Sequence, residues 1–233
     1  MNRFREIFPK GKVFLPVIHV EERNQALRNV GIAIDAGANG VFLIGHGMPS
    51  FKLTDIYLEV VDHYPSFWTG INYLDLTPLS SIHALVDTPA DGLWVDDGGI
   101  REGVEDSVAG ARRVRESQLT NGVMRALLFG GVAFKHQQRV SDVAVAAQVA
   151  VPFMDVITTS GPATGVAADP KKIKRMRGAI GDHPLAIASG ITSENLHLYT
   201  PFVDCFMVAT GVSSSHTELD PSRVESLVKA LLA

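Results

Sequence analysis

Residues 184–211 read PLAIASGITSENLHLYTPFVDCFMVATG. Two apolar runs lie in this stretch, near 184–189 and 203–209, and each leads into a small polar residue followed by glycine, at Ser189-Gly190 and Thr210-Gly211. The runs are too continuous to alternate with polar residues, which is typical of parallel strands covered on both faces. The stretch therefore predicts two parallel strands, each ending in a tight glycine turn.

The same kind of apolar run recurs along the whole chain. Six more lie near residues 12–20, 40–44, 67–72, 91–95, 124–134 and 153–158. Their starts are separated by roughly the length of a strand, a loop and a helix. Helix signals occupy several of the intervals: Asp169-Pro170 and Asp220-Pro221 each place a capping residue before a first-turn proline. The sequence Thr192-Ser193-Glu194-Asn195 similarly predicts the start of a short helix.

Eight such units predict an α/β protein with a closed (β/α)8 TIM barrel. We expect a single domain over residues 1–233, with residues 1–11 as an N-terminal extension. An open doubly wound sheet is the alternative, but it requires a glycine-rich phosphate turn after the first strand. The sequence there is Ile18-His19-Val20-Glu21-Glu22.

Composition excludes several classes of protein. The 233 residues are 46% hydrophobic, which argues against disorder, and 21 Lys plus Arg against 25 Asp plus Glu leave no positive excess for nucleic acid. Every apolar stretch is too short to cross a bilayer, so we expect no membrane insertion. The first ten residues lack the pattern of a secretion signal, and the single cysteine, Cys205, lies in an apolar run. These features predict a cytoplasmic protein with Cys205 in the core.

The glycine turns after the last two predicted strands are the strongest local functional signal. TIM barrels place their sites at the carboxyl ends of the strands and commonly bind phosphate after the seventh and eighth. We therefore predict phosphate binding by Ser189, Gly190, Thr210 and Gly211. The other interpretation is that these glycines only permit tight turns.

Acid–base candidates follow other strands. If alternation continues through the fifth strand, Gly131, Ala133 and Lys135 share one face, with His136 on the other. Lys135 would then face the barrel axis as a base or a Schiff-base nucleophile, or would simply pair with Asp96 or Asp97.

The first four strands add further candidates. Asn72 is a candidate for orienting the substrate and Asp97 for acid–base catalysis. His19 either transfers a proton or is an ordinary loop or core residue. His46 has the same two interpretations as His19.

Two loops supply candidate substrate contacts. Asp75 is either a loop acid that binds substrate or the cap of the next helix. The turn 160–165 is either a mobile wall over the ligand, with Ser160 and Thr164 as contacts, or an ordinary surface loop. Asp96-Asp97 lacks further ligands at fixed spacing, so we predict no metal site, and the proposed chemistry requires no cofactor.

The strand ends resemble those of the BtpA/SgcQ family, a group of barrels related to ribulose-phosphate-binding enzymes. The similar stretches run over nearly the whole chain, at residues 17–20, 37–44, 70–75, 134–136, 155–165, 188–195 and 203–211. The resemblance implies a TIM barrel. It also implies either a link to carbohydrate metabolism or a part in the biogenesis or stability of a photosynthetic membrane complex.

Together, the residues and the resemblance favour an enzyme acting on a small phosphorylated sugar or related phosphate ester, of isomerase or lyase type. The alternatives are a non-catalytic assembly or stability factor for a membrane complex of the photosystem type, and a sensor of a phosphorylated ligand. A homo-oligomer formed through the helical ring is a further expectation.

Overall fold

The computed structural model describes residues 2–135, 137 and 139–232. Eight parallel strands pair in chain order into a closed barrel, and the pairing of Val13 with Cys205 joins the first strand to the last. The strands are β1 (Val13–His19), β2 (Val41–Ile44), β3 (Thr69–Asn72), β4 (Gly92–Val95), β5 (Leu127–Gly131), β6 (Val156–Ser160), β7 (Leu185–Ala188) and β8 (Cys205–Val208). The predicted TIM barrel is confirmed.

Helices alternate with the strands and form the outer layer. They are α1 (Arg3–Ile7), α2 (Arg23–Asp35), α3 (Ser50–His63), α4 (Pro78–Ala84), α5 (Ala109–Thr120), α6 (Val143–Ala150), α7 (Pro170–Ile180) and α8 (Pro221–Leu232). Between β7 and β8, a 3-10 helix at Leu196–Leu198 takes the place of the short α-helix predicted from Thr192. The Asp169 carboxylate accepts a hydrogen bond from the Lys171 amide, as its predicted role as a cap requires.

Large side chains fill the barrel interior because neighbouring strands leave room for them. Phe42 points inward from β2, and a Cβ added to Gly70 on β3 would lie 2.2 Å from the Phe42 ring. Phe129 packs edge-on against the same ring, with centroids 5.1 Å apart. These rings therefore fill the lower half of the barrel interior.

The first helix closes the opposite end. Phe4 and Phe8 of this segment join the interior cluster, with the Phe4 ring 6.4 Å from that of Phe129. Arg3 donates to the buried Asp155 at 2.8 Å and holds the helix against the barrel. The N-terminal segment thus contributes directly to the core.

Candidate functional site

Five of the predicted site residues line one small cavity at the carboxyl-terminal mouth of the barrel. The cavity has a volume of about 50 Å³ and is bordered by His19, Lys135, Thr164, Ser189 and Thr210. These residues follow β1, β5, β6, β7 and β8. The closed barrel is what brings together residues so far apart in sequence.

Lys135 reaches the cavity, but not by strand alternation. The strand ends at Gly131, and Ala133 has a φ of 49°, which breaks the pleat. Phe134, which alternation places on the outer face, instead enters the interior cluster with its ring 6.0 Å from that of Trp94. The Lys135 amide donates to the Ser160 hydroxyl at 2.8 Å. The predicted orientation of His136 lies outside the described residues.

The Lys135 ammonium is only partly solvated. Its Nζ lies 3.1 Å from Thr164 Oγ1 and 5.7 Å from the centroid of the Phe134 ring. Burial lowers the pKa of this amine below its ordinary value, and the charge of Asp96 offsets part of that effect. A lysine in this environment has a larger neutral fraction at a given pH than a solvated one, as a proton acceptor requires.

The two candidate acids after β4, Asp96 and Asp97, have different hydrogen-bond partners. Asn72, 2% exposed, donates from Nδ2 to Asp96 Oδ1 at 3.1 Å. The Asp97 carboxylate instead accepts from the Arg101 guanidinium and from the Gly99 amide at 2.8 Å. Burial alone would raise the pKa of Asp97, but these hydrogen bonds bring it below its ordinary value. Asp97 therefore stabilises its own loop.

Two predicted substrate contacts have structural roles. Asp75 Oδ2 accepts from the Ser50 amide at 2.9 Å, so it caps the start of α3, while Thr77 caps the helix that follows Asp75. Ser160 is fully buried and its hydroxyl also donates to the Gly161 carbonyl at 2.8 Å. Ser160 therefore positions Lys135 and does not reach the cavity.

The turns after β7 and β8 pack tightly against neighbouring backbone. A Cβ on Gly190 would lie 2.1 Å from the Ala167 nitrogen, and one on Gly211 would lie 1.9 Å from the Ile191 carbonyl oxygen. Both glycines are thus required by packing. Ser189 has a φ of 95°, an unusual conformation for a residue with a side chain. Such strained positions cluster at ligand sites.

A second cavity, of about 270 Å³, adjoins the turn after β8. Thr210 lines it together with Arg223 and the run Ser213–Ser215. Sequence reasoning missed these residues because the run follows the glycine turn and Arg223 lies on α8. Hydroxyl groups beside a guanidinium are suited to bind an oxyanion.

A cluster of three histidines borders both cavities and was not predicted. His19 is 8% exposed, and its Nδ1 lies 3.1 Å from Nε2 of His216. The His46 ring stacks on that of His19 with centroids 4.7 Å apart. Burial lowers the pKa of His19 to about 4, with contributions from His46 and His216, so its ring is neutral at pH 7.

Four buried side-chain polar atoms of the described residues lack a hydrogen-bond partner, and one of them lies beside the small cavity. The Trp94 Nε1 group is buried and has no hydrogen-bond partner among the described residues, and Trp94 borders the small cavity. An indole N–H donates only, so it can be satisfied by an oxygen of a bound ligand.

Of the described helices, none has both the length and the apolar character needed to span a bilayer.

Comparisons with known proteins identify the fold. Phosphoribosyl anthranilate isomerase from Thermus thermophilus is similar over 94% of this chain and 98% of its own, with a TM-score of 0.67 and 11% identity. A native KDPGal structure is similar over 93% of this chain and 93% of its own, with a TM-score of 0.67 and 17% identity. Tryptophan synthase from Mycobacterium tuberculosis is similar over 99% of this chain and 98% of its own, with a TM-score of 0.71 and 9% identity. No protein-family model and no curated protein matches the sequence. At these identities the similarity establishes the TIM-barrel fold.

Proposed function

We propose that the protein is an enzyme acting on a small phosphorylated sugar or related phosphate ester, as an isomerase or lyase using acid–base chemistry. The observation that carries the proposal is the small cavity at the mouth. It is bordered by the partly buried Lys135 amine and by Ser189 and Thr210. A substrate bound by its phosphate at the turns would extend toward the amine.

Each group has a defined role in this proposal. The phosphate binds at Ser189 and Thr210, close to the backbone of Gly190 and Gly211. Lys135 Nζ accepts and returns the proton, and the Asn72–Asp96 pair orients a substrate hydroxyl or carbonyl group. Binding energy from the unreactive phosphate helps to orient the reacting end.

The similar solved structures support a reaction of this class. Their names include an isomerase of a phosphoribosyl compound and a synthase, and both share the barrel. Membership of the BtpA/SgcQ family, inferred from the strand-end stretches, is the finer part of the proposal.

The test is a turnover screen with phosphorylated sugars and their dephosphorylated counterparts, using wild-type protein, Lys135→Met and Lys135→Arg. We expect turnover of a phosphorylated compound only, and its loss in Lys135→Met with phosphate binding retained. A Lys135→Met protein with full turnover contradicts the role of Lys135. Binding of a phosphorylated ligand without turnover of any compound in the wild type favours a sensor.

An exposed apolar face supports the assembly or stability factor as a second candidate. Phe51 and Leu58 of α3 are 71% and 37% exposed and lie two helical turns apart, on the same side of the helix. In an assembly factor, Phe51→Ser would abolish partner binding while Lys135→Met would have no effect. The reverse pattern supports the enzyme.

A further inference from the structure

The three histidines at the barrel mouth form a compact set of nitrogen donors. One ring nitrogen from each of His19, His46 and His216 lies within 4.8 Å of the others. His19 ends β1, His46 follows β2, and His216 lies between β8 and α8. Three separate segments thus direct imidazole groups to one point.

The spacing of the nitrogens is close to that of a metal site. Two nitrogen ligands at about 2.0–2.1 Å from a tetrahedral metal lie about 3.3–3.4 Å apart. Nδ1 of His19 and Nε2 of His216 are 3.1 Å apart. The His46 nitrogen lies within 4.8 Å of the other two. No hydrogen bond holds the His46 ring within the part of the chain that the structure describes, so rotation of the ring can shorten this spacing.

Only neutral imidazole binds a metal, and burial of two of the rings favours that form. Burial lowers the pKa of both His19 and His46.

The charges and the open space around the three histidines determine which ligands can bind there. The protonated Lys135 amine opposes a cation, whereas the negative charge of Asp96 attracts one. The same charge offsets part of the lowering of the pKa of Lys135 and His46. A cavity of about 360 Å³ is bordered by all three histidines and also by Glu21 and Lys52. His46 and His216 are exposed, so a ligand or water can reach the cluster.

We propose that His19, His46 and His216 bind one divalent transition metal that prefers nitrogen ligands, such as Zn²⁺, Co²⁺ or Ni²⁺. At least one coordination position faces the cavity, as in metal sites that bind a water or substrate. This site replaces the expectation of no metal, which considered only Asp96-Asp97. It does not depend on the phosphosugar reaction.

The test is a titration of chelator-treated protein with Co²⁺, followed by visible absorption, and with Zn²⁺, followed by calorimetry. We expect one equivalent to bind and give the absorption of four- or five-coordinate Co²⁺. His46→Ala and His216→Ala should each weaken binding by more than about 100-fold, beyond the usual cost of losing an outer-shell partner. His197→Ala, also exposed, is the matched control and should bind like the wild type.

Absence of saturable binding, or equal binding by wild type, His46→Ala and His216→Ala, overturns the proposal. Urea unfolding curves establish that the variants are folded. A second measurement uses the wild type alone: nuclear magnetic resonance spectra of the histidine rings during Zn²⁺ addition. The signals of the three cluster rings should shift while that of His197 does not, and any other pattern contradicts the site.

Discussion

The strained backbone at Ser189 gives a prediction in which stability and ligand affinity change in opposite directions. Its φ of 95° lies in the region that favours glycine, and its hydroxyl borders the mouth cavity. The Ser189→Gly variant relieves the strain and removes the hydroxyl while leaving the turn in place. Within the protein the hydroxyl has only a distant acceptor, the Val166 carbonyl oxygen at 3.5 Å.

The expected magnitudes follow from these two changes. A strained backbone conformation costs an ordinary residue about 1–3 kcal/mol, and the extra unfolded-state entropy of glycine costs about 0.5–1 kcal/mol. The free energy of unfolding should therefore rise by about 0–2.5 kcal/mol. A hydrogen bond to a charged group contributes about 1.5–3 kcal/mol, so inorganic phosphate should bind about 10- to 150-fold more weakly.

Urea unfolding monitored by tryptophan fluorescence measures the first quantity, and calorimetric titration with inorganic phosphate measures the second. Ala133→Gly is the matched control. Ala133 is the other non-glycine residue of the described chain with positive φ, at 49°, and it has no hydroxyl. The Ala133→Gly variant should be more stable than the wild type and should bind phosphate with the same affinity. Unchanged phosphate affinity in Ser189→Gly, or a loss of more than about 1 kcal/mol of stability, would refute the reasoning.

Three further predictions concern the core, a buried lysine and the acids. Phe4→Ala should cost about 3–5 kcal/mol by urea unfolding, because Phe4 is fully buried in the barrel end; a cost below about 1 kcal/mol would mean that α1 does not close the barrel. Burial lowers the pKa of Lys172 from 10.5 to about 8. Between pH 8 and pH 10.5 the unfolded chain therefore holds more protons than the folded one, and the free energy of unfolding should rise with pH. Lys172→Met should lack this rise, and identical pH profiles of the variant and the wild type would contradict the prediction. Asp96→Asn should reduce turnover of an identified substrate about 100-fold, as expected when the group that orients the substrate is lost. Asp97→Asn should mainly lower the unfolding midpoint, and equal effects of the two variants on turnover would reject the role of Asp96.

The fold was predictable because each strand is buried on both faces, and such a strand has a continuous run of apolar residues. The structure has strands at all eight predicted positions, and the lone Cys205 is buried as expected. The helix after β7 was less predictable. The helix there is a single 3-10 turn at Leu196–Leu198. The capping signal at Thr192 indicates where a helix begins, but it does not indicate the length or the type of the helix.

Candidate site residues were predicted from the polar residues that follow the strands, and Lys135 borders the mouth cavity although it lies four residues after the end of β5. Lys135 faces the mouth, but the strand stops at Gly131 and the Ser160 hydroxyl holds the backbone that follows. The choice between Asp96 and Asp97 could have been made from alternation, since Trp94 points into the barrel and Asp96 is two residues further.

The histidine cluster could not be read from local spacing. His216 lies 197 residues from His19, in a loop that no strand-end rule covers, and only closure of the barrel brings the two rings together. The hydroxyl-rich cavity beside Arg223 was missed for the same reason.

The most direct test of the proposed function is a crystal structure of the wild-type protein grown with inorganic phosphate. The account predicts a phosphate in the mouth cavity, bound by the Ser189 and Thr210 hydroxyls, with Lys135 Nζ directed at the same space. A mouth cavity without phosphate, or a phosphate there with Lys135 turned away, would contradict it.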